Sequence, residues 1–73
     1  MARIEVVSEV TGKVWKIQIP LGNSVVEEDI IMIIESMKME IPVFSTHTGN
    51  VAEILVQEGD PVEEGQIVAI VET

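Results

Sequence analysis

The sequence predicts an all-β fold, a flattened eight-stranded antiparallel barrel or sandwich of two four-stranded sheets with pseudo-twofold symmetry. Three observations lead there. The 73-residue chain contains an internal repeat that covers nearly all of it. Each copy of the repeat is made of short β-branched runs broken by glycine-containing turns. There is no cysteine and a single histidine, so neither disulfides nor a cysteine-bound metal can staple the chain, and packing must hold it.

The repeat is found by shifting the chain 37 places, which lays residues 4–36 on 41–73 without a gap. Thirteen of the 33 pairs are identical, among them Val6/Val43, Ser8/Ser45, Gly12/Gly49, Val14/Val51, Gly22/Gly59, Val25/Val62 and Ile33/Ile70. Two units are too few for a solenoid. They predict two interlocked halves sharing one core, in one domain spanning residues 1–73.

Each half is read in the same order. Ile4–Val7 and Ile41–Phe44 are short strands, with Pro42 placed where no ladder partner needs an N–H. Thr11-Gly12 and Thr48-Gly49 are turns. The strands that follow run Gly12–Ile19 and Gly49–Val56. Strict alternation puts Trp15, Ile17 and Ile19 on the buried face with Ala52, Ile54 and Val56, and leaves Lys16 and Gln18 on a polar face. Gly22-Asn23 and Gly59-Asp60-Pro61 are turn chemistry. The glycines of the pairs Gly12/Gly49 and Gly22/Gly59 are expected in matching conformations. A short strand at Val25-Val26 or Val62 leads through acidic turns to a final β-branched run.

That run, Ile30–Ile34, has a helical rival. Ile30, Ile33, Ile34, Met37 and Ile41 fall at helical spacing. Three facts favour a strand. Its repeat mate Ile67–Val71 is only five residues long, four of the five residues of Ile30–Ile34 are β-branched, and every other segment reads as strand.

Charge excludes several functions. Thirteen acids against four bases give a net charge of −9, so no basic footprint for nucleic acid exists, and an anionic membrane surface is disfavoured. The positive mean hydropathy argues against disorder. No apolar run reaches the length of a membrane span, and Met1–Glu5 has no apolar signal region. A chain this short leaves little room for a catalytic triad with a substrate pocket. The expectation is a soluble, cytoplasmic, monomeric and free-standing protein that works with larger protein partners.

Between the halves lies Glu35-Ser36-Met37-Lys38-Met39-Glu40. Strands on both sides force it to be a hairpin, yet it holds no Gly, Asn, Asp or Pro. A two-residue hairpin asks for φ > 0 at both central residues, and side chains there cost on the order of 1–3 kcal/mol each. A local rule broken at one place points to function; the alternative is a longer, relaxed loop. In the functional reading Lys38 is presented at a tip with apolar neighbours that a partner reads; in the structural one both methionines pack inward and Lys38 is merely solvated.

Ser36-Met37-Lys38-Met39 resembles the Ala-Met-Lys-Met acceptor motif of biotinyl domains, and the resemblance to the biotinyl and lipoyl attachment family covers essentially the whole chain. Gly49, eleven residues after the lysine, and Gly22, sixteen before it, match the family pattern. The resemblance implies a single hybrid motif with its acceptor lysine on an exposed central hairpin. It implies biotin bound through an amide to Lys38, with Met37, Met39, Glu35 and Ser36 read by a biotin protein ligase. It implies a non-catalytic carrier that moves carboxyl groups between a biotin carboxylase and a carboxyltransferase. Two features depart from the biotinyl pattern. Ser36 replaces the usual alanine, and Glu35-Ser36 is similar to the Glu-Ser-Asp-Lys-Ala motif of lipoyl domains. Lipoate, added by a lipoyl ligase, is thus the alternative cofactor, for an acyl carrier. The protruding thumb of some bacterial biotin carriers is absent.

Other residues read as structural. His47 is expected in solvent at a turn, and Trp15 in the core. Glu27-Glu28-Asp29 and Glu63-Glu64 are expected as solvated turn faces. Lys13 and Lys16 lie on a strand and are poor acceptors.

Overall fold

The computed structural model describes residues 2–73 and contains eight strands and no helix. They are β1 (Arg3–Val7), β2 (Gly12–Ile17), β3 (Ser24–Val25), β4 (Ile30–Ser36), β5 (Met39–Phe44), β6 (Gly49–Ile54), β7 (Pro61–Val62) and β8 (Ile67–Glu72). They form two antiparallel sheets ordered β1-β8-β6-β3 and β5-β4-β2-β7. The sheets do not close into a barrel, so of the two expected forms the molecule is a flattened sandwich. Ile30–Ser36 is a strand, and the helical alternative is excluded.

The repeat is realised strand by strand. Moving every strand of the first sheet 37 residues along the repeat generates the second. Each sheet takes two strands from each half, because β3 crosses to pair with β6 and β7 crosses to pair with β2. The register repeats as well. Lys13, Val14, Lys16 and Ile17 oppose Glu35, Ile34, Ile33 and Met32. Asn50, Val51, Glu53 and Ile54 oppose Glu72, Val71, Ile70 and Ala69. Loops lock the halves together in the same symmetric way. Val14 N donates to Asp60 O at 2.8 Å and Val51 N to Asn23 O at 2.9 Å.

The core follows the repeat. Val6/Val43, Val14/Val51, Val25/Val62, Ile31/Val68, Met32/Ala69 and Ile34/Val71 are all buried. Removing such side chains from water supplies roughly 1.5–3 kcal/mol each. Ser8 and Ser45 are buried too, and both are satisfied. Each hydroxyl donates at 2.6 Å to the carbonyl two residues on, that of Val10 or His47, and so closes a tight turn.

Trp15 is not in the core. It is 47% exposed. The register shifts between Val14 and Lys16, so Trp15 is the extra residue of a β-bulge. The bulge resets the alternation. Val14 points inward, Trp15 and Lys16 are exposed, and Ile17 and Ile19 return half-buried to the core. The same shift falls at Ala52. β2 and β6 also end at Ile17 and Ile54, two residues short of the expected limits.

The glycine pairs do match. Gly22 and Gly59 have φ of 90° and 95°. Gly12 and Gly49 are not turn residues. Each opens a strand, and a Cβ there would collide with the backbone oxygen of Glu35 or Glu72. A further pair went unread in the sequence. Gly65 has φ 85°, and its repeat mate is Glu28, with φ 76°. Asp29 is more than a solvated face, because its Oδ2 accepts from Val26 N at 3.0 Å and closes that turn.

The lysine hairpin

β4 and β5 pair down to Ser36 opposite Met39, which leaves Met37 and Lys38 as a two-residue turn. Both are left-handed, with φ of 51° and 67°. This is the strained hairpin expected from the sequence. Primed turns match the right-handed twist of the flanking strands. The chain therefore accepts the left-handed conformation, without the Asn-Gly pair that would relax it.

The tip is apolar around one cation. Met37 is 92% exposed and Met39 62%, while Lys38 is exposed between them. Lys38 has no carboxylate within 4.0 Å among the described residues, where the ion pairs are those of Arg3 with Glu53 and Glu72. Its amine is thus free for a partner to approach.

The base of the hairpin is fixed. Ser36 Oγ donates to Thr11 O at 2.8 Å, tying β4 to the turn before β2. The side chain of Ser36 is half-buried and directed at the fold, whereas Glu35 and Glu40 are exposed. Glu35 stands opposite Glu40 on β5 and opposite Lys13 on β2. Like charges opposite one another weaken a strand pair. The role of Thr11 was not read in the sequence. Its only signal there was the identical pair Thr11/Thr48.

Outside the hairpin, His47 is exposed at its turn, and its Nδ1 lies 2.9 Å from Thr46 Oγ1. No group of three or more His, Cys, Asp or Glu residues able to hold a metal exists among the described residues. A cleft of about 530 Å³ lies between β1 and β5, lined by Val7, Val10, Ile41, Phe44 and acidic side chains. It does not include the hairpin.

The fold is thus a two-sheet sandwich that presents a lysine on a tight hairpin at its pseudo-symmetry junction. The chain belongs to the Biotin-requiring enzyme (biotin/lipoyl) family, whose profile matches residues 7–71. Among curated proteins no relative matches. Among solved structures it is similar to the Kluyveromyces lactis urea carboxylase, at 39% identity and a TM-score of 0.93 over 99% of this chain. It also has the fold of part of a single-chain, multi-domain long-chain acyl-CoA carboxylase, at 19% identity, a TM-score of 0.85 and 97% coverage. The chain spans only 6% and 7% of those proteins.

Proposed function

We propose that this protein is a carrier covalently biotinylated on Lys38, serving a biotin carboxylase and a carboxyltransferase. The observation that carries the reading is the position of Lys38. It is an unpaired amine on a two-residue left-handed turn, flanked by exposed methionines. Family membership and the likeness to a urea carboxylase support biotin as the group.

The residues fit such an attachment. Only a neutral amine is nucleophilic, and a lysine is almost entirely ammonium at pH 7. A ligase must therefore take a proton from Nζ as the amine attacks the carbonyl of biotinyl-adenylate, made from biotin and ATP, so that the amide forms and AMP leaves. The hairpin holds the root of the arm still, through the β4–β5 ladder and the Ser36–Thr11 hydrogen bond. When attached, biotin supplies the ureido nitrogen that takes up a carboxyl group at one active site and releases it at another. Tethering gives the group a high effective concentration at both.

The test is Lys38→Arg, co-expressed with a biotin ligase and compared with wild type by intact mass and streptavidin blot. Arginine keeps the charge but is not an effective nucleophile. Labelling should fall to background. Persistent labelling would remove Lys38 as the sole acceptor. Lipoate is decided in the same assay by offering both ligases and both acids. Methionine at position 37 gives a ligase a flexible apolar contact where lipoyl domains carry a charge. The wild type should therefore be mainly biotinylated.

A further inference from the structure

Four bases serve a chain of net charge −9. Arg3 is engaged by Glu53 and Glu72. The other three have no carboxylate within 4.0 Å among the described residues, and all belong to one sheet or its edge: Lys13 and Lys16 lie on β2, and Lys38 lies on the turn that joins β4 to β5 of the sheet β5-β4-β2-β7. Lys13 and Lys16 flank the bulge that turns Trp15 into solvent.

The repeat supplies an internal control. The same three positions of β6 hold Asn50, Ala52 and Glu53, with the same bulge and the same register. The backbone therefore does not require an indole at this place, since it forms equally around Ala52. Nor does it require cations, since Glu53 stands where Lys16 does. A large aromatic, half in water and set between two unpaired lysines on an acidic protein, is left without a structural reason. Exposed aromatics and unpaired charges of the rarer sign are what docking surfaces carry.

We infer that the outer face of β2, formed by Lys13, Trp15 and Lys16, docks the ligase that modifies Lys38, and that this ligase meets it with carboxylates around an apolar socket. The inference rests on Lys38 being the attachment site. Geometry selects the ligase over the enzymes that use the finished arm. A ligase must bring its reacting carbon to Nζ itself, so its surface must lie against the hairpin root. Enzymes that use the arm meet its far end. By register Lys13 is level with Glu35, and Lys16 with Ile33. These lie three and five positions before Lys38, roughly 10 Å and 17 Å at about 3.4 Å per residue. One footprint of about 800 Å² covers both lysines, Trp15 and the methionine tip.

The experiment uses the full unmodified chain with a bacterial biotin protein ligase, ATP and biotin, and measures kcat and KM for wild type, Trp15→Ala, Trp15→Phe, Lys13→Glu/Lys16→Glu and Asn50→Glu. Trp15→Ala and the double charge reversal should each raise KM about tenfold with kcat unchanged. The effect of the reversal should shrink between low and high salt. Trp15→Phe should restore most of the loss, and Asn50→Glu on the other sheet should change nothing. Melting curves check that each variant is folded, which Ala52 at the equivalent bulge leads us to expect for Trp15→Ala. Wild-type KM in both Trp15→Ala and the charge reversal, with Lys38 still labelled, would overturn the docking face and leave the attachment reading intact. A wild type unlabelled at Lys38 would overturn both.

Discussion

The buried positions of the two halves are near copies, Val14 with Val51 and Ile34 with Val71, whereas their outer positions and their turns differ. On the surface, Lys13, Trp15 and Lys16 stand against Asn50, Ala52 and Glu53. In the turns, the left-handed position is glycine in both halves at Gly22/Gly59 but in one half only at Glu28/Gly65. At Met37 and Lys38 neither left-handed residue is glycine. A molecule built twice thus separates two kinds of constraint. What both halves share is needed by the backbone and the core. What only one half carries has some other cause.

The first way to break this comparison is at Gly12 and Gly49, where the effect is largest. An added Cβ at either meets a backbone oxygen of the neighbouring strand, which cannot step aside as a flexible side chain can. Gly12→Ala and Gly49→Ala should each cost about 3 kcal/mol, the upper end of overpacking. Chemical denaturation of the two single mutants measures this. If one were nearly neutral while the other unfolded the chain, the halves would not be equivalent in energy, however alike in register.

The next test relaxes the hairpin. Replacing Met37-Lys38 by Asn-Gly supplies the residues a primed turn favours. Relief of two left-handed side chains should stabilise the fold by about 2 kcal/mol, or raise Tm by roughly 10 °C in a domain this small. The same variant loses the acceptor amine and should not be biotinylated. A more stable, unlabelled protein would show that the tip gives up stability for its lysine. No gain in Tm would mean that the turn is unstrained and that its left-handed backbone is no sign of function.

Most of the fold was legible because the sequence states it twice. A reading made on one half could be checked against the other, and the five-residue run Ile67–Val71 is one of the three facts that favour strand at Ile30–Ile34. The hairpin was legible because its residues contradict its geometry. The bulge was not, since a period-two pattern carries no mark of an inserted residue. Alternation read back from Ile17 puts Trp15 inside and Val14 outside. The signal was present in the repeat. Val14/Val51 is an identical pair, while Trp15/Ala52 differs too much in size for one shared core position. The Ser36–Thr11 tie was hidden because it joins residues 25 places apart, and no local pattern announces it.

The smallest effect is expected at Glu28, and it separates conformation from charge. Glu28 and Gly65 occupy the same place in the two halves, each donating its N–H to the carbonyl of a buried serine, Ser45 or Ser8, at 2.8 and 2.7 Å. Their φ angles differ by only 9°, from 76° to 85°. A left-handed side chain costs about 1–2 kcal/mol, and glycine returns part of this through its larger unfolded-state entropy. Glu28→Gly should therefore stabilise by about 0.5–1 kcal/mol, and Gly65→Ala should destabilise by a similar amount. Removing one of thirteen acids relieves self-repulsion as well, so Glu28→Gln is the control. If the gain is conformational, glutamine leaves stability near wild type and glycine raises it, with little change between low and high salt. If glutamine stabilises as much as glycine, and added salt abolishes the gain, the strain at Glu28 is negligible. The difference between the two turns is then one of charge alone.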